Sequence, residues 1–266
     1  MFRHALLGTV SAVALAGFTY SAQAYPPLPN LTNLNFQTTA NPPKGSFSSV
    51  DPAGWTGGSG LIFIDSTSLP NAQAASPVYL TTYANPVGSY SGNYVEADGN
   101  PFYESGFNYT VHGLTPGQTY TLSFYQGASQ QTGFRGTTTN QWIVSLGTQG
   151  ITRTLSGGFG HYSNSDPTAS IALSPLMTIP TGTAVGWNYV SVNLTADSTT
   201  DLLSFLAWGD NGSTVNLPPI AFLAGVNSPP GLGAVPEPAT LSLLGVGLVG
   251  LGVVSRRRRG KRSLSS

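Results

Sequence analysis

The sequence of 266 residues contains no cysteine, and only 8 % of its residues are charged. Without thiols the chain can form no disulfide, no zinc–thiolate site and no cysteine nucleophile. Soluble domains usually carry about 25 % charged residues, and helical bundles rely on Glu and Lys, so a bundle is disfavoured. The 33 glycines follow no three-residue period, which excludes collagen. With 40 % hydrophobic and 11 % aromatic residues, the chain can build a core and is not expected to be disordered.

Basic residues are scarce in the body of the chain and crowded at its C-terminus. Ten Lys or Arg balance ten Asp or Glu, so the formal net charge is zero. Six of the ten basic residues lie between Arg256 and Arg262, whereas residues 25–234 hold three basic and nine acidic ones, a net charge of −6. A body of this sign repels phosphate groups, and we expect no nucleic-acid partner.

Residues 1–24 have the three regions of a secretory signal peptide. Arg3 supplies the positive start, residues 5–18 form a short apolar segment, and Ala22 and Ala24 complete a small-x-small cleavage site before Tyr25. Because the apolar run is short and the cleavage pattern complete, we expect removal rather than retention as a membrane anchor. The mature chain is therefore predicted to be exported through the inner membrane.

The C-terminus has three consecutive parts, followed by a basic tail at residues 260–266. They are Val235, Pro236, Glu237 and Pro238, then an uncharged run over residues 239–254, then Arg256, Arg257, Arg258 and Arg259. The run is near the lower limit of the roughly 20 apolar residues that span a bilayer. An arginine cluster at its end stays on the cytoplasmic side. We predict a single apolar helix in the inner membrane; a buried core helix is disfavoured by the arginines.

In this order and spacing, the three parts resemble the PEP-CTERM sorting signal of Gram-negative bacteria over residues 235–259. The resemblance implies that an exosortase, a transpeptidase-like membrane enzyme, processes a transiently anchored chain near Pro236. It also implies a destination at the cell surface or in the exopolysaccharide matrix of a biofilm. The tail of residues 260–266 is longer than usual for this signal.

Residues 45–226 have the pattern of one all-β domain. Short runs alternate apolar and polar residues, and turn residues separate them. In Thr119–Gln126, for example, Tyr120, Leu122 and Phe124 share one face. Pro116 and Gly117 suit the central positions of a type II turn. Regularly spaced short strands predict a sandwich or barrel. Residues 25–44 are predicted to form an extended lead-in, and residues 227–234 a linker.

Several segments of the body resemble the jelly-roll, galactose-binding-like domains found in many PEP-CTERM proteins. They are Asn93–Pro101, Gly113–Phe124, Gln130–Gln131, Trp142–Gly147, Leu203–Ala207 and Pro218–Val226. The resemblance implies a jelly-roll β-sandwich, a fold that often binds carbohydrate. Relatives commonly carry Asp where this chain has Ala224, so any metal or ligand role of that Asp is not expected here.

The body contains no complete catalytic motif. Gly57–Gly60 approaches the Gly-x-Ser-x-Gly of serine hydrolases, but Leu61 stands at the last position. His112 and His161 are the only histidines after the leader, and they lack the spacing of a zinc site. We assign no catalytic residue and expect a non-enzymatic protein.

Glu96, Asp98 and Glu104 form the densest acidic group. On a strand, Glu96 and Asp98 share a face about 6–7 Å apart, a separation within reach of a glycoside hydrolase. The same oxygens suit a structural Ca²⁺, although no EF-hand pattern is present. The sequence Asp98–Pro101 is also a good turn, because Asp and Asn side chains bond to their own backbone. The turn is favoured; the Ca²⁺ site at Glu96 and Asp98 and the hydrolase remain alternatives.

Polar and aromatic residues follow the predicted strand Thr119–Gln126. Sugar sites combine apolar walls with a few polar groups, and loops disproportionately carry function. We therefore predict a ligand-binding segment, with exopolysaccharide as the partner, at Gln126, Gln130, Gln131, Phe134 and Arg135. The alternative is a structural or adhesive matrix protein with no discrete pocket.

Overall fold

A computed structural model describes residues 24–32, 36, 54–57, 62–66, 93–103, 106–131 and 133–227. The predicted signal peptide up to residue 23, Glu104 and the sorting region beyond residue 227 lie outside the described residues. Along the part that the structure describes, no helix is long and apolar enough to cross a membrane.

The described chain consists of strands joined by short turns, as the alternating pattern predicts. The strands are β1 (Trp55–Gly57), β2 (Ile62–Ser66), β3 (Asn93–Asp98), β4 (Gly106–His112), β5 (Thr119–Gln130), β6 (Thr138–Gly147), β7 (Ile151–Ser156), β8 (Phe159–Asn164), β9 (Ser170–Leu173), β10 (Met177–Ile179), β11 (Ala184–Thr195), β12 (Thr200–Gly209) and β13 (Pro219–Ala224). Within these ranges, a 3-10 turn at Asp210–Gly212 is the sole helical element.

Two antiparallel sheets pack face to face. The five-stranded sheet has the order β11-β5-β13-β3-β2, and the six-stranded sheet has the order β1-β4-β12-β6-β10, with β9 also pairing β6. The chain crosses between the two sheets at seven connections, so spatial neighbours are distant in sequence: β1–β2, β3–β4, β4–β5, β5–β6, β10–β11, β11–β12 and β12–β13. This interleaved order of two Greek keys defines a jelly roll. The predicted all-β jelly-roll β-sandwich is confirmed.

The core lies between the sheets because alternate residues of each strand point to the same side. Leu122 and Phe124 of β5 meet Trp142 of β6 and Phe205 of β12 in one buried cluster. The Trp142 ring lies 6.2 Å from that of Phe107 and 6.0 Å from that of Phe205. Its Nε1–H donates to the Phe222 carbonyl on the opposite sheet at 3.1 Å. Trp142 therefore ties the two sheets together at the centre.

Part of the predicted lead-in belongs to the sandwich. The Thr121 amide donates to the Pro26 carbonyl at 2.8 Å, and the Leu28 amide donates back to the Thr121 carbonyl at 3.3 Å. This pairing is available because β13 pairs β5 only from Tyr125 onward. Leu28 and Phe36 are buried in the core cluster. Residues of this segment thus complete the core instead of merely preceding it.

The predicted type II turn is present before β5. Gly117 has φ +79°, which the third position of such a turn requires and which glycine adopts without strain. The Gln118 amide closes the turn onto the Thr115 carbonyl at 3.0 Å.

Candidate functional site

The structure places two of the predicted ligand residues inside a strand. The sequence predicts that the strand ends at Gln126, but β5 continues to Gln130 because it pairs β11 on one side and β13 on the other. Gln126 is buried and donates from Nε2 to the Pro175 carbonyl at 2.9 Å. Gln130 is also buried; it donates to the Gly136 carbonyl and accepts from the Gly182 amide, each at 2.9 Å. Both glutamines therefore hold loops in place.

The other three predicted ligand residues lie in the β5–β6 loop. Gln131 and Phe134 are half-buried, and Arg135 is exposed. The Gln131 amide donates to the Pro218 carbonyl at 3.0 Å, which fixes the start of this loop against the segment before β13.

The favoured turn after β3 is confirmed and lies at the same end of the sandwich. The Asn100 amide donates to Asp98 Oδ1 at 2.8 Å, and the Phe102 amide donates to Asn100 Oδ1 at 3.0 Å. The Gly99 amide donates to the Pro219 carbonyl at 2.8 Å. Since β3 and β5 flank β13, this turn and the β5–β6 loop start about 10 Å apart, two strand spacings.

Two aromatic rings stand exposed on this turn. Phe102 and Tyr103 are each 51 % exposed, with their ring centroids 6.5 Å apart. The Arg153 guanidinium of β7 donates to the Pro101 and Phe102 carbonyls and holds the turn. We call the side chains at this end the loop-end surface: Phe102, Tyr103, Gln131, Phe134 and Arg135.

The sequence alone singles out neither Phe102 nor Arg153 as functional. An exposed aromatic pair directly after an Asp-Gly-Asn-Pro turn is the signal that points to Phe102. The role of Arg153 has no local signal, because its contact with Pro101 spans 52 positions.

Glu96 and Asp98 share one face of β3, as predicted for a strand. This is the outer face of the five-stranded sheet, where Tyr94 packs its ring 5.5 Å from that of Trp187 and 5.8 Å from that of Phe222. Glu96 is 0 % and Asp98 2 % exposed. Burial raises the pKa of Asp98 to about 7, against the opposing effect of the Asn100 amide. Neither carboxyl is presented at the surface.

Replacing Asp98 by Asn is expected to stabilise the fold at pH 8 and to flatten its pH dependence. The pKa of Asp98 is about 7 in the folded protein and ordinarily 3.8. The contribution of this carboxyl to the free energy of unfolding is therefore fully present below pH 4, and it is lost as the pH rises through 7. The difference between these two pKa values corresponds to about 4 kcal/mol, an upper bound on the gain. Asn retains the acceptor for the Asn100 amide.

Urea denaturation of both proteins at pH 4 and pH 8 measures this difference. Asp210→Asn is the matched control: burial raises the pKa of Asp210 too, but its side chain is less buried, so a smaller gain is expected. A lower stability of the Asp98→Asn variant at pH 8 contradicts the prediction.

Among the described residues, no group of three or more His, Asp or Glu side chains is arranged to hold a metal ion. The Ca²⁺ predicted at Glu96 and Asp98 therefore has only two carboxyls in the described structure, and one of them already accepts the Asn100 amide. That site stays a prediction.

The C-terminal region of the sequence matches a known sorting motif. Residues 234–259 match the PEP-CTERM protein-sorting motif. The chain carries a PEP-CTERM sorting signal. Such a signal implies a secreted, exosortase-processed surface protein of a Gram-negative bacterium. None of the curated proteins matches the sequence.

The chain is similar to several solved structures. It is similar to TmCBM61 in complex with beta-1,4-galactotriose, at 11 % identity over 74 % of this chain and 94 % of that one, with a TM-score of 0.33. The chain is also similar to the CBM22-1 xylan-binding domain of Paenibacillus barcinonensis Xyn10C. The identity is 13 % over 68 % of this chain and 88 % of that one, with a TM-score of 0.30. A third similar structure is the apo form of a cyclase from Fischerella sp. The identity is 14 % over 74 % of this chain and 92 % of that one, with a TM-score of 0.40.

Proposed function

We propose that this chain is exported, held briefly in the inner membrane by residues 239–254, and released by an exosortase to the cell surface or the exopolysaccharide matrix. The match over residues 234–259 carries this proposal. The signal-peptide pattern of residues 1–24 supports it, because an exosortase substrate has to reach the far side of the inner membrane first.

We further propose that the loop-end surface binds glycan. Phe102 and Tyr103 offer adjacent, half-exposed rings. The β5–β6 loop, which holds Gln131 and Arg135, starts about two strand spacings from the start of their turn. Rings that cover the apolar faces of a sugar, with a few amide and guanidinium groups for its hydroxyls, form a suitable site. Arg153 and the side chain of Asn100 hold the turn, so little order has to be gained on binding.

The burial of two of the three candidate carboxyls, Glu96 and Asp98, supports a non-enzymatic role. The third, Glu104, lies outside the described residues. A glycoside hydrolase needs two carboxyl groups in contact with opposite sides of one glycosidic bond. Glu96 and Asp98 lie on one strand and are 0 % and 2 % exposed, so a polysaccharide does not reach them in this structure. The hydrolase alternative is therefore disfavoured relative to a binding protein.

Removing both exposed rings is expected to weaken glycan binding about 10- to 30-fold. Half-burial of each ring by a sugar contributes about 1 kcal/mol, and 1.4 kcal/mol corresponds to a tenfold change in affinity. The experiment compares the full chain with its Phe102→Ala/Tyr103→Ala variant for binding to polysaccharide from the native host. Leu173→Ala, which removes an exposed apolar side chain on β9 elsewhere, is the control and should bind as wild type.

Two outcomes would overturn this proposal. If the wild-type chain binds no host polysaccharide, or the double variant binds equally well, the structural or adhesive matrix protein is favoured. If the wild-type chain cleaves the polysaccharide and Glu96→Gln or Asp98→Asn abolishes cleavage, the non-enzymatic assignment is wrong.

A further inference from the structure

Both ends of the described domain lie at one end of the sandwich. Asn227, the last described residue, donates its amide to the Ser123 carbonyl at 2.6 Å. Its side-chain Nδ2 donates to the Leu28 carbonyl at 2.9 Å. The Thr121 amide donates to the Pro26 carbonyl at 2.8 Å. The chain therefore leaves the domain toward its sorting signal directly beside the N-terminal segment.

This exit lies at the end of the sandwich opposite the loop-end surface. Strand β5 connects the two ends, because Ser123 lies in its first half and Gln131 follows its last residue. Gln131 comes eight positions after Ser123, which corresponds to about 27 Å of extended strand. Strand β13 runs the other way, from Pro219 beside Gln130 to its end beside the middle of β5. The chain thus passes the loop end before β13 and leaves the domain at the far end.

Asn227 fixes the exit as part of the folded domain. Its backbone has φ +61°, in the left-handed region that asparagine adopts more readily than most residues. Val226, the residue before it, is buried in the core cluster. Because both the amide and the side chain of Asn227 are bonded, the sandwich sets the point at which the chain leaves.

The stretch between this exit and the apolar run limits how an anchored body can turn. Residues 228–238 separate the two, and the greatest span of eleven residues is about 40 Å. When the exit faces the bilayer, any length within that span suffices. For the loop-end surface to face the bilayer instead, the exit has to stand at least about 27 Å above it. Only the more extended conformations of the stretch allow this, so the inverted orientation is disfavoured by chain entropy.

We propose that the anchored chain presents its loop-end surface away from the inner membrane and binds polysaccharide before an exosortase releases it. This inference rests on the proposed anchoring and glycan binding, and it adds the order of the two events. Polysaccharide reaches the rings of Phe102 and Tyr103 from the side that the bilayer leaves free. The exosortase acts near Pro236, beyond the other end of the domain, so the enzyme and bound polysaccharide do not compete for space.

Energy transfer from the body to a bilayer tests the orientation. The full chain is produced in a host without an exosortase and inserted into vesicles of phosphatidylethanolamine and phosphatidylglycerol that carry an acceptor lipid. Because the chain has no cysteine, a donor dye can be attached to a single introduced one. Thr137→Cys places it at the loop end and Thr115→Cys at the exit end, and both residues are exposed. We expect lower transfer from residue 137 than from residue 115; equal or higher transfer from residue 137 would overturn the proposal.

Binding of native-host polysaccharide to the same vesicles tests the order of events. With about one chain per vesicle, multivalency does not contribute to the affinity. The anchored chain should bind within about threefold of the affinity of the released wild-type chain, and the anchored Phe102→Ala/Tyr103→Ala variant should be weakened as the released one is. Weaker binding by the anchored chain would overturn this inference and leave glycan binding intact. Absence of binding by the released chain, or failure of the full chain to insert into vesicles, would overturn the proposed function and this inference with it.

Discussion

Replacing Trp142 by Ala is expected to lower the free energy of unfolding by about 4 kcal/mol, the central value for deleting a large buried aromatic side chain. The ring is fully buried between the sheets, against Phe107 and Phe205. Its Nε1–H also makes the bond to the Phe222 carbonyl at 3.1 Å across the core. Deleting it leaves a cavity at the point where both sheets meet. Urea denaturation followed by circular dichroism measures the loss.

Two matched variants separate the contributions at this position. Trp142→Phe keeps most of the apolar contact but removes the hydrogen bond, so a smaller loss of about 1–2 kcal/mol is expected. Leu173→Ala truncates an exposed side chain and should change stability by less than about 0.5 kcal/mol. A loss below about 1 kcal/mol for Trp142→Ala would show that this ring does not lie in a packed core.

Replacing Pro236, Glu237 and Pro238 by Ala is expected to abolish release of the protein from the membrane. The apolar run over residues 239–254 and the four arginines remain, so the variant is still inserted and oriented. The variant lacks only the segment that we propose the exosortase recognises. Fractionation of native-host cells measures the effect: the variant should accumulate in the inner membrane, and the wild type at the surface.

Deletion of residues 260–266 is the control for this variant. These residues follow the arginine cluster and lie beyond the matched motif, which ends at residue 259. The deleted chain should be released like the wild type. Release of the alanine variant at the wild-type level would contradict a role for the motif in sorting.

The sequence predicts the fold well where a feature is local. The alternation from Thr119 to Gln126 requires only neighbouring residues to indicate a strand, and Pro116-Gly117 defines its turn by backbone preference alone. The Asp98–Pro101 turn was likewise predictable, because the side chains of Asp98 and Asn100 bond within two residues of themselves. The sorting signal can be recognised in the sequence for the same reason, because its three parts follow one another directly.

Features that depend on distant partners were not predictable. The continuation of β5 to Gln130 follows from pairing with two strands that come 50 or more residues later. Gln126 and Gln130 look like loop ligands in the sequence, yet the fold turns them inward. Leu28 enters the core because β13 leaves part of β5 unpaired. No single sequence shows such pairings.

The same distinction between local features and distant partners applies to the candidate sites. The sequence indicates the β5–β6 loop, but only the topology brings Phe102 and Tyr103 to the same end of the sandwich.

The intact mass of the protein released by native-host cells tests the central claim, export and sorting by a PEP-CTERM signal, most directly. We expect a chain that begins at Tyr25 and ends near Pro236, without the apolar run and the arginines. A released chain that retains residues 240–266 would contradict it.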